Sequence, residues 1–370
     1  MAQVQTRVLR IPLDNQTGLI QLHHVYVTLR EKLIMASVTI ADVAARAQVS
    51  KSTVSHALSG KRPISAATRQ RIEQAIAELG YRPDPVAQSL AMRTRHRGVG
   101  FVFPLLAPQV AELEVRFIAS AADVINSAGY AFMLMTHLDD NIGHLEEFAA
   151  SGLAQGFILM QVQMHDPRVA YLQAQRIPFV LIGRCAENNG LVYVDSAIEA
   201  GMQRCVARLA ELGHRRIAFL HQDDHLTGFA VRVLDAFQQS CGELGVAAVC
   251  APCALNLASG AEVMGALLDA NPQVTAVIVW NDRAAAGAGE AALARGRQIP
   301  QDLSLVCFNY SSLPRLLSLQ PAVIDIQAET IAATAARMML SQLEGVPPEP
   351  AQVLIEPRFS EGQSIAPPAS

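Results

Sequence analysis

Apolar positions along the chain follow two different rhythms, and the change falls near residue 98. From Thr39 to Leu79 the spacing is helical. Ile40, Val43, Ala44 and Ala47 fall on one stripe. Thr39 stands before them as an N-cap, with Asp42 three residues on. Gln48-Val49 makes a short connection, and Ser50 caps a second helix. On that helix Val54, Ala57 and Leu58 face inward, while Lys51, Ser52, Ser55, His56 and Ser59 face outward. Gly60-Lys61-Arg62-Pro63 breaks the run. Ser65 opens a third helix with Ile72, Ala75, Ile76 and Leu79 inward, and Gly80 ends it as a left-handed cap. Two short helices across a tight turn, with a third completing the core, predict a helix-turn-helix head. Asp84 and Pro85 then open a further helix reaching Met92. At about two turns it is marginal alone, which suits a switch between two domains.

After Gly98 short apolar runs alternate with helical stretches. Gly98–Phe103, Ala131–Met135, Gly156–Met160, Phe179–Ile182, Ile217–Leu220, Ala276–Trp280 and Leu303–Phe308 read as strands. Ala111–Ser127, Ser196–Leu212, Phe229–Leu244, Glu262–Leu268 and Arg283–Arg295 read as helices. This alternation predicts a doubly wound α/β body with parallel sheets, long enough for two lobes. Ligands of such sheets sit beyond the carboxyl ends of strands. Gly183-Arg184, Asn281-Asp282 and Asn309-Tyr310 occupy such ends. Trp280, the only tryptophan, offers either a stacking face for a sugar or a core contact. Asp282 is equally suited to capping the helix that begins there.

Charge sharpens the division. The 370 residues carry a net charge of -4. Residues 38–97 hold ten Arg and Lys against four acids, a balance of +6. Residues 98–370 hold 15 Arg against 27 acids, a balance of -12. A basic head on an acidic body fits a polyanion-binding module whose body stays off the polyanion. No uncharged apolar stretch approaches the roughly 18 residues of a membrane span. The first residues lack the pattern of a secretory signal, so the expected location is cytoplasmic. Six cysteines are then expected as reduced thiols. Cys250-Ala-Pro-Cys253 has redox spacing, but the residues after it read as a loop rather than a thiol-activating helix. His221, Asp223, Asp224 and His225 read as a solvated loop, with a metal site as the alternative. No phosphate-cradling glycine loop, nucleophile elbow or metal-ligand pair stands out. No enzyme, cofactor or metal is therefore expected, although an enzyme built on the body remains a rival that turnover assays would test.

Four stretches stand out together: Val38-Thr-Ile-Ala-Asp-Val-Ala-Ala-Arg-Ala-Gln-Val-Ser-Lys-Ser-Thr-Val-Ser55, Leu79-Gly-Tyr-Arg-Pro83, Val86-Ala-Gln-Ser-Leu90 and Glu211-Leu-Gly-His-Arg-Arg-Ile-Ala-Phe219. Through them the sequence resembles the lactose/galactose repressor (LacI/GalR) family of transcriptional regulators. The resemblance implies that Lys51 and Ser52 read base edges, that Ser50, Thr53, Ser55 and Ser59 mostly hold phosphates, and that Thr39 also belongs to the DNA-binding residues. Val86, Ala87, Leu90 and Ala91 would lie in the minor groove, with Leu90 wedged into a central step. His56 stands where the family commonly has Arg, and it cannot make the bidentate guanine contact of Arg. The resemblance also implies a periplasmic-binding-protein-like body that closes on a small molecule, often a sugar or sugar derivative. Arg184, Trp280, Asn281, Asp282, Asn309 and Gln327 fall at or near the ligand positions. Arg232 is offset by about one residue from the ligand arginine, and Asn309-Tyr310 replaces a common acidic pair.

The expected organisation is an extension over 1–37, with Met35 as an alternative start, then a helix-turn-helix domain over 38–83. A hinge and linker come next over 84–97, then an effector-binding and dimerisation domain over 98–360 and a tail over 361–370. The expected function is a dimeric, ligand-responsive repressor of a pseudo-palindromic double-stranded DNA operator, with no membrane partner. The alternative is a sugar-binding or sensing protein of the periplasmic type without a DNA role.

Overall fold

The computed structural model describes residues 38–59, 64–81, 97–104, 112–136, 142–308 and 320–369. Expectations for residues 1–37, for Val86, Ala87, Leu90 and Ala91 of the hinge, for the side chain of Ser59, and for Asn309 and Tyr310 lie outside them. The chain divides into two units, 1–95 and 96–370.

The first unit holds α1 (Ile40–Ala47), α2 (Lys51–Ser59) and α3 (Ala66–Leu79). Val43, Ala44, Ala47, Val54, Ile72 and Ala75 form its buried core. Gln48 takes a left-handed conformation, φ 53°, which turns the chain sharply into α2. Ser65 caps α3 by accepting from the Thr68 amide, and Gly80 closes it at φ 62°.

The second unit is two α/β lobes. In the first, strands β1 (Gly98–Val102), β2 (Ala131–Met135), β3 (Gly156–Leu159), β4 (Phe179–Ile182) and β5 (Tyr193–Ser196) alternate with α4 (Glu112–Ser127), α5 (Gly143–Ala150) and α6 (Pro167–Ala174). The chain then crosses into the second lobe. There it forms α7 (Ile198–Glu211), β6 (Arg216–His221), α8 (Gly228–Glu243), β7 (Ala247–Pro252), α9 (Leu257–Ala270), β8 (Ala276–Val279), α10 (Asp282–Ala294), β9 (Ser304–Phe308) and β10 (Ala322–Asp325). It returns with α11 (Ala328–Leu343) and β11 (Gln352–Ile355), and ends in the second lobe with β12 (Arg358–Ser360). The sheets run β11-β5-β4-β3-β1-β2 and β12-β10-β9-β8-β6-β7. Every pairing is parallel except β10 with β12.

The doubly wound two-lobed body is the expected one, with local differences. Tyr193–Ser196 is a strand, so the expected helix from Ser196 begins at Ile198. The residues after Cys253, expected as a loop, enter α9, whose first turn Asn256 caps by accepting from Ser259 N at 2.9 Å. Residues 361–369, expected as a separate tail, lie against the second lobe. Ser364 is fully buried and accepts from Ala322 N at 2.7 Å. The Ala366 carbonyl meets His214 Nε2 at 3.0 Å. Among the described residues no helix is long and apolar enough to cross a membrane.

Candidate functional site

In the first unit the side chains at issue gather on the N-terminal half of α2. Lys51 and Ser52 are exposed, and Thr53, Ser55 and His56 are half-buried, while Val54 between them is fully buried. That is the helical alternation of a polar face over a core. Ser50 Oγ accepts from Thr53 N at 3.1 Å and meets the hydroxyls of Ser52 and Thr53 at 2.7 and 2.8 Å. Thr39 is exposed at the start of α1. Its amide and its hydroxyl both donate to Asp42 Oδ2 at 2.7 Å. These bonds, the hydroxyl's first, hold the Asp42 carboxyl below its usual pKa.

In the second unit a cleft between the lobes encloses about 1270 Å³, its open mouth included. The first lobe contributes Phe103, Phe117, Gln161 and Gly183, and the second contributes Asp224, Phe229, Trp280 and Asn281. Trp280 settles between its two expected roles. It lines the cleft while lying nearly parallel to Phe308, centroids 5.9 Å apart at 23°, with Phe229 edge-on at 5.5 Å. Asn281, rather than Asp282, caps α10: its Oδ1 accepts from Ala284 N at 2.8 Å. Asp282 is buried at the first helical position, lines the cleft, and accepts from Arg283 N at 2.7 Å. Gln327 lies outside the cleft lining and donates from Nε2 to the Glu356 carbonyl at 2.5 Å.

Arg184 and Arg232 also lie outside the lining, joined in a cluster that spans the lobes. Arg184 Nε donates to Asp195 Oδ2 at 2.8 Å, and its Nη2 donates to both Glu199 oxygens at 2.8 and 3.0 Å. Arg232, from α8, donates to the same Asp195 oxygen at 3.1 Å and to the Arg184 carbonyl at 3.1 Å. Gly228 makes this approach possible, since a Cβ there would sit 2.4 Å from the Arg184 carbonyl oxygen. Burial pushes the Asp195 carboxyl up and the Arg232 guanidinium down, against the attraction that pairs them. Beside the cluster the backbone joins the lobes as well: Met164 N donates to Leu226 O at 2.9 Å and Gly228 N to Val162 O at 2.8 Å.

Asp195, Ser196, Glu199 and Gln161 do not stand out in the sequence. The signal for the first two is a polar pair closing the short run Tyr193-Val-Asp-Ser196. Of the expected polar loop, Asp224 holds the entry to α8 by accepting from the amides of Leu226 and Thr227, both at 2.9 Å. His225 and Asp223 form an exposed pair. Among the described residues no group of three or more His, Cys, Asp or Glu side chains is placed to hold a metal ion. The six cysteines are free thiols, and burial raises the pKa of each, that of Cys241 to about 12.

Residues 39–84 match the family described as bacterial regulatory proteins, lacI family, and residues 206–365 match the periplasmic binding protein-like domain. AglR of Rhizobium meliloti (strain 1021), an HTH-type transcriptional regulator, is 30% identical over 264 residues, which cover 70% of this chain and 74% of AglR. The chain belongs to the LacI family of bacterial regulatory proteins. Its LacI-type head is a DNA-binding domain, and the chain is a transcriptional regulator. A LacI-family regulator from Silicibacter pomeroyi shares the fold with a TM-score of 0.75 and 25% identity, over 89% of this chain and 99% of that one. The lac repressor dimer bound to operator and the anti-inducer ONPF shares it with a TM-score of 0.74 and 21% identity, over 90% and 100%.

Proposed function

We propose that this LacI-family regulator is a repressor that reads a pseudo-palindromic operator as a dimer, and that a small molecule in the interlobe cleft sets its affinity. The observation that carries the DNA reading is the face of α2. It presents one cation and several small hydroxyls beside a capped N-terminus, over a core that fixes the helix. Lys51 and Ser52 reach base edges, and Ser50, Thr53, Ser55 and Ser59 hold phosphates. Thr39 does so only by releasing Asp42. Val86, Ala87, Leu90 and Ala91 enter the minor groove. Trp280, Asn281 and Asp282 contact the effector: the indole supplies a face, Asn281 its Nδ2 donors, and Asp282 an acceptor. The protein acts by binding in the cytoplasm and not by turnover. Effector binding shifts the balance between two arrangements of the lobes, and so of the hinge. The lac repressor dimer on its operator supports the dimeric arrangement.

In-vitro selection from random duplexes at a stated salt concentration tests the reading. An enriched pseudo-palindrome is expected. Purely salt-sensitive binding without enrichment, in the presence and absence of cell metabolites, refutes it. Histidine cannot bridge guanine O6 and N7 as Arg does, so His56→Arg is expected to change the selected half-site. An unchanged sequence logo removes His56 from base contact.

A further inference from the structure

This inference rests on the interlobe cleft being the effector site, and concerns which effectors it admits. Two arginines at such a site would ordinarily recruit an anion. Here both are occupied from within. Asp195 takes Arg184 at 2.8 Å and Arg232 at 3.1 Å, and Glu199 takes the remaining edge of Arg184 at 2.8 and 3.0 Å. Of these four side chains only Asp195 lines the cleft. Among the described lining residues the charged ones are Glu114, Asp195, Asp224 and Asp282 against Arg283. The rest of the wall is largely apolar, and Phe103, Phe117, Phe229 and Trp280 supply its aromatic rings. Ser196 lines the same cleft at 1% exposure, and its Oγ has no hydrogen-bond partner within the protein. A buried hydroxyl of this kind is normally satisfied, so it marks a place for a ligand atom or a water.

We propose that the cleft selects an uncharged or cationic ligand with a flat apolar face and a hydrogen-bonding group for Ser196, and that Asp195 and Glu199 are the residues that turn anionic ligands away. A phosphate or carboxylate entering the cleft meets like charge between low-dielectric walls, where repulsion is screened less than in water. The arginines that would offset this repulsion are neutralised behind the wall. A neutral ring keeps its stacking on Trp280 without that penalty, and an ammonium group gains from the carboxylates and from the indole face.

The only tryptophan lies in the cleft, so its fluorescence reports occupancy directly. The full chain would be titrated with phenyl β-D-glucoside, phenethylamine and phenyl phosphate, which share one flat face and differ in charge. The wild type is expected to bind the neutral or the cationic probe at least about tenfold more tightly than phenyl phosphate. Asp195→Asn and Glu199→Gln each uncover guanidinium charge, and each is expected to raise phenyl phosphate affinity several-fold. Asp195→Asn is isosteric. Glu199, its side chain 43% exposed, is the substitution least able to disturb folding, which circular dichroism checks. Wild-type binding of phenyl phosphate as tight as that of the other probes overturns the proposal. So does the absence of any gain in two folded variants, and so does silence towards every probe in all three proteins. None of these results bears on operator selection, so failure here is distinguishable from failure of the regulator reading.

Discussion

Arg168 and Asp166 form a buried ion pair behind the cleft, and removing the cation tests how much of the wall depends on it. Their side chains are 6% and 0% exposed. Arg168 donates Nε and Nη2 to the carboxylate at 2.9 and 2.6 Å, and Nη2 also reaches the carbonyls of Met160 and Gln161, both at 3.0 Å. Asp166 in turn accepts from the amides of Gln163 at 3.1 Å and Arg168 at 3.0 Å, capping α6. The pair therefore fixes the turn after β3, where Met160, Gln161 and Val162 line the cleft. Arg168→Met keeps the apolar stem and deletes the guanidinium. Breaking a buried pair from one side costs about 3–5 kcal/mol. Two amides still hold Asp166, and Arg168 Nη1 has no hydrogen-bond partner to lose. Both facts pull the value to the lower end, about 3 kcal/mol. Asp166→Asn combined with Arg168→Met removes the stranded charge, so the double variant should lose less than the sum of the singles, by about 1–3 kcal/mol. Urea unfolding followed by Trp280 fluorescence measures this in the body alone. A single variant within about 1 kcal/mol of wild type, or an additive cycle, would refute the assignment of the turn's stability to this pair.

Close packing and titration give three further outcomes. Gly287→Ala gains about 1 kcal/mol of helix propensity in α10. Its Cβ would lie 1.9 Å from the Leu257 carbonyl oxygen and 2.8 Å from Ala261 N, both backbone, so a net loss of about 1–3 kcal/mol is expected in thermal unfolding. Ser364→Ala strands the Ala322 amide and the Leu305 carbonyl, and should cost about 1–3 kcal/mol by the same measurement. His214 is fully buried against Thr275 and Ala366, and burial holds its pKa below the ordinary value. The unfolded chain then takes up the proton first, so stability is full above about pH 6.5 and declines as pH falls below it. His214→Gln should flatten that decline, and an identical pH profile in the variant would exclude His214 as its cause.

What was legible in the sequence was local. The head's helices are bounded by residues that cap them, such as Thr39, Ser65 and Gly80, and their stripes coincide with the buried core. The strands β1, β3, β8 and β9 are buried along their whole length, so they read as continuous apolar runs. What escaped was non-local or carried polar residues. β11 is four residues long, Gln352–Ile355, and gains its identity only by pairing with β5 some 160 positions earlier. β5 itself ends in Asp195 and Ser196, because its carboxyl end opens on the cleft. A strand that supplies site residues loses the apolar signature by which strands are recognised.

The placement of Arg232 shows the same limit for an expected site residue. Residue type and approximate position both suggested an effector ligand. On a helix, however, an offset of one residue turns a side chain by about 100°. In α8 it is Phe229 and Ala230 that face the cleft, and Arg232 turns behind it towards Asp195. Two other residues reinforce that choice. Gly228 leaves space for the guanidinium beside the Arg184 carbonyl, and Glu199, in the first turn of α7, is close enough to take the opposite edge of Arg184. The offset, the glycine and the two acids form one consistent arrangement in which the guanidinium groups of Arg184 and Arg232 sit in the join between the lobes and not on the cleft wall. Exchanging the order of Arg232 and Val233, a position about one turn on from Phe229 and Ala230, should then turn a guanidinium towards the cleft and release Asp195 from Arg232. The expected outcome is a gain of phenyl phosphate binding with a loss of interlobe stability. Phenyl phosphate affinity that stays at the wild-type level in a folded protein would show that register on α8 does not decide the cleft's charge.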